Sequence, residues 1–137
     1  MLDTQCTCTK LRRAARALTR LYDTALEPFG LTAAQFSLLR VSQRLGSVHI
    51  SAFAEATGLE RSTLGRNLRP LVASGWLSLS SGEDQRTQMV SLTASGKRLI
   101  AKALPAWQKV QSDVEKRLGA ERRALLFAIA SDMEQWD

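Results

Sequence analysis

Apolar residues recur at helical spacing along almost all of this chain, and the single interruption decides what it can fold into. From Trp76 to Leu92 the period drops from 3.6 to 2. Trp76-Leu-Ser-Leu-Ser80 and Gln88-Met-Val-Ser-Leu92 alternate as two short strands, and Ser81 to Thr87 between them reads as a polar hairpin tip. Four helical segments come before the hairpin and two after it. The first runs from about Thr9 to Phe29, with Leu11, Ala15, Leu18, Leu21 or Tyr22, and Ala25 on one face, and Pro28 and Gly30 closing it. Thr32 and Gln35 form a T-x-x-Q capping box that opens the second, which carries Phe36, Leu39 and Val41 and stops at Gly46. Val48 to Ile50 is too short to be more than an edge strand. Ser51 is placed to cap a third helix, Ala52 to Thr57. The fourth begins near Glu60 and turns Leu64, Leu68, Leu71 and Val72 inward; Pro70 distorts its last turns and Gly75 ends it. After Thr93, Leu99, Ala103, Trp107, Val110, Val114 and Leu118 mark a long helix with a kink expected at Pro105 and a break at Gly119. Leu125, Leu126, Ile129, Met133 and Trp136 mark the last one.

This order predicts a mainly α (α+β) fold: a winged helix-turn-helix with long N- and C-terminal helices. The expected division is an N-terminal dimerisation helix over 1–30, a winged helix-turn-helix over 31–96 and C-terminal dimerisation helices over 97–137. The terminal helices are long and amphipathic, and a small winged core cannot cover all their apolar stripes. They are therefore expected to pack across a two-fold axis in a homodimer, the simpler arrangement being packing within one chain.

Within the winged region, Ala54, Gly58 and Leu64 fit a helix-turn-helix: a small residue for close crossing, glycine for the turn, an aliphatic anchor for the second helix. The exposed residues of that second helix would be Arg61, Ser62, Thr63, Arg66 and Asn67. Arginine takes guanine edges bidentately, asparagine takes adenine, and hydroxyls adapt to either, so these residues are the candidates for the major groove. The simpler reading of each is a solvated polar face.

Several stretches of the chain resemble the MarR family of winged-helix transcription regulators. They are Gly30 to Leu39, Phe53 to Leu64, Leu71 to Leu77, and above all Asp84-Gln-Arg86 followed by Leu92-Thr-Ala-Ser-Gly96, which is similar to the family's D-x-R…L-T-x-x-G signature. The resemblance implies a homodimer on a pseudo-palindromic operator, acting as a repressor or other regulator released by a small ligand or by oxidation. It also implies that Arg86 reaches the minor groove from the wing and that Asp84 orients it or braces the wing; a narrow minor groove attracts arginine. Ser78-Leu-Ser-Ser81 departs from the family in lacking basic residues, and Glu83 stands beside Asp84.

Composition separates the remaining readings. The 137 residues carry 19 Lys and Arg against 13 Asp and Glu, a net charge of +6. Residues 1–47 hold seven cations and three anions, residues 48–96 four of each, and residues 97–137 eight and six. The excess thus lies outside the segment that should read DNA, which must rely on where its charges stand. Arg12, Arg16 and Arg20 recur at i, i+4, i+8 on the first helix and are candidates for a small anionic or aromatic ligand; their simpler role is pairing across the dimer with acidic residues of the last helix such as Asp132, Glu134 or Asp137. Cys6 and Cys8 lie just before the same helix. Its free N–H groups, with Lys10, Arg12 and Arg13, would lower a thiol pKa, which suits a redox pair. The alternatives are two small, partly buried residues at an interface, or a C-x-C metal site completed by a third ligand such as His49.

With one histidine, no metal cluster, no phosphate-cradling glycine loop and no nucleophile elbow, enzyme activity, a cofactor and a resident metal are not expected. Two cysteines exclude a disulfide scaffold. No apolar run approaches the roughly 18 residues of a membrane span and no signal peptide heads the chain, so a cytoplasmic protein without membrane contact is expected. The rival to an operator-binding regulator is a winged-helix protein-interaction module.

Overall fold

A computed structural model describes residues 1–81 and 88–136. Its elements are α1 (Thr7–Leu26), a 3-10 turn (Glu27–Phe29), α2 (Ala33–Leu45), β1 (Val48–His49), α3 (Ile50–Thr57), α4 (Arg61–Ala73), β2 (Leu77–Ser81), β3 (Gln88–Leu92), α5 (Ala94–Leu118) and α6 (Ala120–Met133). The fold is the expected winged helix with helical ends.

The local signals act as their chemistry requires. The Gln35 backbone N–H donates to Thr32 Oγ1 (3.1 Å) and the Thr32 N–H donates to Gln35 Oε1 (3.0 Å), so both halves of the capping box form. The N–H of Ala33, a third orphan donor of that first turn, reaches Asp23 Oδ1 of α1 at 2.7 Å, which ties the two helices together. Gly75 adopts φ +78° after α4. Its N–H bonds to the Val72 carbonyl and the Trp76 N–H to the Leu71 carbonyl, both at 3.0 Å, the paired closure that left-handed C-terminal glycines permit. Pro70 falls in the final turn, where the ladder is about to end, so α4 continues through it. α5 likewise runs uninterrupted through Pro105.

One start signal was misplaced. α3 begins at Ile50 with extended His49 as its cap residue, so Ser51 lies inside the helix. His49 is held extended because it pairs with Met89, and the helix starts as soon as that pairing ends. The sheet order is β1-β3-β2, all antiparallel, with Val48 opposite Val90 and Leu77 opposite Leu92. The two-residue β1 is therefore an edge strand, and β3 the central one.

The core lies under the helix-turn-helix. Phe36 and Leu39 of α2, Phe53 of α3, Leu64, Leu68 and Leu71 of α4, Leu77, Val90 and Ile100 are all buried. Each such leucine contributes about 1.5–3 kcal/mol by leaving water. α1 packs on α5 and α6 packs back on α5, but α6 buries no residue within the chain.

A single junction fastens the hairpin to α5. Thr93 caps α5, accepting from the Gly96 N–H at 3.0 Å. Its hydroxyl donates to the Gly75 carbonyl (2.7 Å), with the Trp76 carbonyl at 3.1 Å, and its N–H donates to that same Trp76 carbonyl at 3.1 Å. A Cβ on Gly96 would strike the Trp76 carbonyl oxygen and stand 2.6 Å from Leu92 Cδ1. The T-x-x-G spacing is thus a clamp: a cap plus a close approach that only glycine allows. Gly96→Ala should lower unfolding stability by about 2–3 kcal/mol because backbone must move to admit the methyl. Thr93→Ala should lower it by about 1 kcal/mol. Denaturant titration checks both, and an unaltered midpoint in Gly96→Ala would refute the clamp.

Candidate nucleic-acid interface

The turn between α3 and α4 begins with Gly58 in the left-handed region, φ +71°. Thr57 steadies it: its hydroxyl lies 3.1 Å from the carbonyls of Phe53 and Ala54 and accepts from the Leu59 N–H at 3.4 Å. Glu60 is extended, and its carbonyl accepts from the Leu64 N–H at 2.9 Å, setting the first turn of α4. Leu64, Leu68 and Leu71 are fully buried, which fixes the rotation of the helix about its axis.

At about 100° per residue, that anchoring turns Ser62 and Arg66 directly away from the core. Arg61 and Asn67 fall on the two flanks, and all four are exposed. Thr63 is half-buried, and Arg66 Nη2 approaches its hydroxyl at 3.5 Å. Arg69 was not among the expected residues, yet it is exposed on the same outward face as Ser62 and Arg66. Its signal was present in the sequence as the spacing Ser62, Arg66, Arg69. On the hairpin, Asp84 and Arg86 lie outside the described residues. The strands on either side of this segment are in register through the pairing of Ser81 with Gln88.

Cys6 is the cap residue of α1, and Cys8 lies in its first turn; both are free and exposed. The Cys6 thiol pKa is lowered, mainly by hydrogen bonds from the Thr9 side chain and backbone, with a smaller share from the Cys8 backbone. The largest share comes from Thr9, which was not among the expected causes. Arg13 instead donates to the Leu2 carbonyl at 2.6 Å. Among the described residues no group of three His, Cys, Asp or Glu is arranged to hold a metal.

Arg12, Arg16 and Arg20 are all exposed along α1, and among the described residues none of them is in an ion pair. Another arginine lines a cavity between α2 and α5. A cavity of about 170 Å³ is lined by Phe36, Ser37, Arg40, Val41, Arg44 and Trp107, with Ala33 at its edge. The Arg40 guanidinium carbon sits 5.8 Å from the Phe36 ring centroid and 5.7 Å from that of Trp107. Its Nε is buried without a hydrogen-bond partner, and a buried donor left so is costly until an acceptor arrives. Sequence reading missed Arg40, Arg44 and Trp107, because only packing brings a helix-2 arginine against a helix-5 indole. Beyond Trp107, the Tyr22 ring stands 6.4 Å away and its hydroxyl donates to Gln111 Oε1 at 2.5 Å. Burial, then the nearby Glu115 carboxylate, push the Tyr22 pKa up, with Arg123 opposing.

The sequence model of the MarR family matches residues 29–87. A solved structure of the Mycobacterium tuberculosis transcriptional regulator MosR in complex with DNA is 36% identical, covers 96% of this chain and 100% of its own, and superposes with a TM-score of 0.80. Bordetella bronchiseptica BpsR, whose DNA binding is regulated by 6-hydroxynicotinic acid, is 22% identical, covers 100% of this chain and 99% of its own, and shares the fold with a TM-score of 0.86. The uncharacterised Bacillus subtilis HTH-type transcriptional regulator YwoH is 28% identical over 89 residues; this chain spans 65% of its length, and the match 65% of this chain.

The Cys6 environment makes a direct prediction. In Cys8→Ser protein, alkylation of Cys6 by iodoacetamide should reach half its maximal rate at a pH below that of an ordinary cysteine. Thr9→Val should move that midpoint part of the way back, since the backbone N–H remains. An unchanged midpoint would show that the Thr9 hydroxyl does not hold the thiolate.

Proposed function

The chain belongs to the MarR family of transcription regulators, and from that premise we propose that it is a repressor that binds a pseudo-palindromic operator as a homodimer. The observation that carries this reading is the rotation of α4: three buried leucines lock it so that Ser62 and Arg66 face outward, with Arg61 and Asn67 flanking them. Ser62, Thr63 and Arg66 enter the major groove, supported by Arg61 and Asn67. Arg86 enters the minor groove from the wing with Asp84 bracing it. The family is one of regulators and not of enzymes, which agrees with the absence of catalytic motifs in the sequence.

The terminal helices supply the dimer. Leu11, Leu18 and Leu21 of α1 are exposed, as are Leu125 (61%), Phe127 (53%) and Ile129 of α6 and Trp136 just beyond it. So many exposed large apolar side chains on two helices at the ends of one chain fit a second copy of the same surface. The 31–96 region then stands apart as the DNA-reading unit. Because α5 runs unbroken from the hairpin junction at Thr93 to Leu118, the two units share one rod.

Two inputs fit the release of DNA. A small anionic or aromatic acid would satisfy the Arg40 Nε, its ring against Trp107 and Phe36; this seat is better formed than the exposed Arg12, Arg16 and Arg20 row. Oxidation is the second. Peroxide converts the Cys6 thiolate to a sulfenic acid with loss of hydroxide, and the Cys8 thiol then displaces water from it to give a disulfide. Residues i and i+2 of a helix do not face each other, so closing that bond within one chain unwinds the first turn of α1; an intersubunit bond does not need this.

Binding to DNA upstream of its own gene tests the reading. Arg66→Ala should weaken operator binding by about 1–3 kcal/mol and relax specificity at one position. Arg86→Ala should weaken it and reduce the salt slope by about one. Affinity that ignores salt and both substitutions would favour a protein-interaction module. Sedimentation at micromolar concentration should give a dimer. If Cys6→Ser, Cys8→Ser protein still releases DNA on peroxide treatment, the cysteines are not the sensor.

A further inference from the structure

An interior glycine is less favourable in a helix than alanine, so its presence calls for a physical reason. Gly65 lies in the second turn of α4, one residue before Arg66, three after Ser62 and four before Arg69. It is not among the residues of positive φ, so its backbone does not require glycine. Among the described residues, a Cβ built on it meets nothing within 4 Å beyond its own helix, so packing does not require glycine either. Gly96 makes the contrast, since a Cβ there would strike the Trp76 carbonyl. Beside Gly65 the helix surface is open. Its edge of α4 is shared with Arg61 one turn before and Arg69 one turn after, two cations suited to a polyanion.

We propose that Gly65 is the point of closest approach between the backbone of α4 and the bound duplex, and that its missing side chain sets how deeply the helix sits in the major groove. This rests on the operator-binding reading above. With the main chain against the DNA wall, Ser62 and Arg66 reach base edges at their full length, and the flanking cations take phosphates on either side. A methyl group holds the helix away and lengthens every one of these contacts together.

The two consequences of adding that methyl have opposite signs, which separates the proposal from a structural role. Gly65→Ala should raise the unfolding temperature by about 2–5 °C, because alanine is the better helix former and has room. It should also weaken binding to the operator fragment tenfold or more, and Gly65→Leu should weaken it further. Differential scanning calorimetry and fluorescence-anisotropy titration on the full chain read the two effects. Loss of affinity at equal or higher unfolding temperature supports the proposal. Unchanged affinity in both variants overturns it, and so does a loss of affinity accompanied by a lower unfolding temperature, which would place the cause inside the fold. If the unsubstituted chain binds no DNA, the operator-binding reading itself falls, whereas tight binding by both chain and variants removes only the role of Gly65.

Discussion

The contact on which the rest of this molecule depends is the meeting of Thr93 and Gly96 with the backbone of Gly75 and Trp76. Four short interactions there join the exit of α4, the base of the hairpin and the start of α5. The glycine matters as much as the hydrogen bonds, because it lets the first turn of α5 lie directly on the Trp76 carbonyl. Since α5 is a single helix of 25 residues, this junction fixes the orientation of the DNA-reading lobe relative to the far end of the rod. A change at that end that tilts α5 must move α4 and the hairpin with it, because the clamp leaves no flexible linker between them.

The chemistry of the two lobes follows from where charge was placed. The winged region carries no net charge, and three of its cations, Arg61, Arg66 and Arg69, stand exposed on one helix. The buried leucines on the opposite face keep those positions fixed, and a preset orientation lowers the entropy lost on binding. The other cations serve elsewhere. The Arg40 guanidinium lies beside the Phe36 and Trp107 rings at a small cavity, and Arg123 lies 4.2 Å from the Phe127 ring centroid while pairing with Glu115 at 3.5 Å. The path from Arg123 and Glu115 through Gln111 and Tyr22 to Trp107 and Arg40 is a continuous set of contacts between α6 and α2. Contiguity of this kind is the material from which coupling between sites is built, with the coupling itself set by what each state stabilises.

Much of the fold was legible because it rests on local chemistry. The capping box at Thr32 and Gln35, the stop at Gly75, the alternation on either side of the hairpin and the three leucines of α4 each bear one physical signature within a few residues. Ser51 failed as a helix start because His49 is held extended by pairing with Met89, some forty residues away in sequence. The Cys6 thiol has the lowered pKa that a helix N-terminus suggests, with Thr9 as its main cause rather than the basic residues nearby in sequence. Arg69 could have been read from spacing alone, whereas Arg40 and Trp107 could not.

From its sequence alone, this chain is determined to be a winged helix with apolar helical ends and a polar reading face on its fourth helix, because periodicity, capping and turn residues are properties of neighbours. Only the tertiary structure decided what Gly96 is for and that the surface beside Gly65 is open. Gly96 is required by a carbonyl that lies twenty residues back in the chain, whereas a Cβ on Gly65 would meet open space among the described residues. A missing side chain has no signature of its own in a sequence; its reason is whatever stands opposite, and that is settled only when distant segments are brought together.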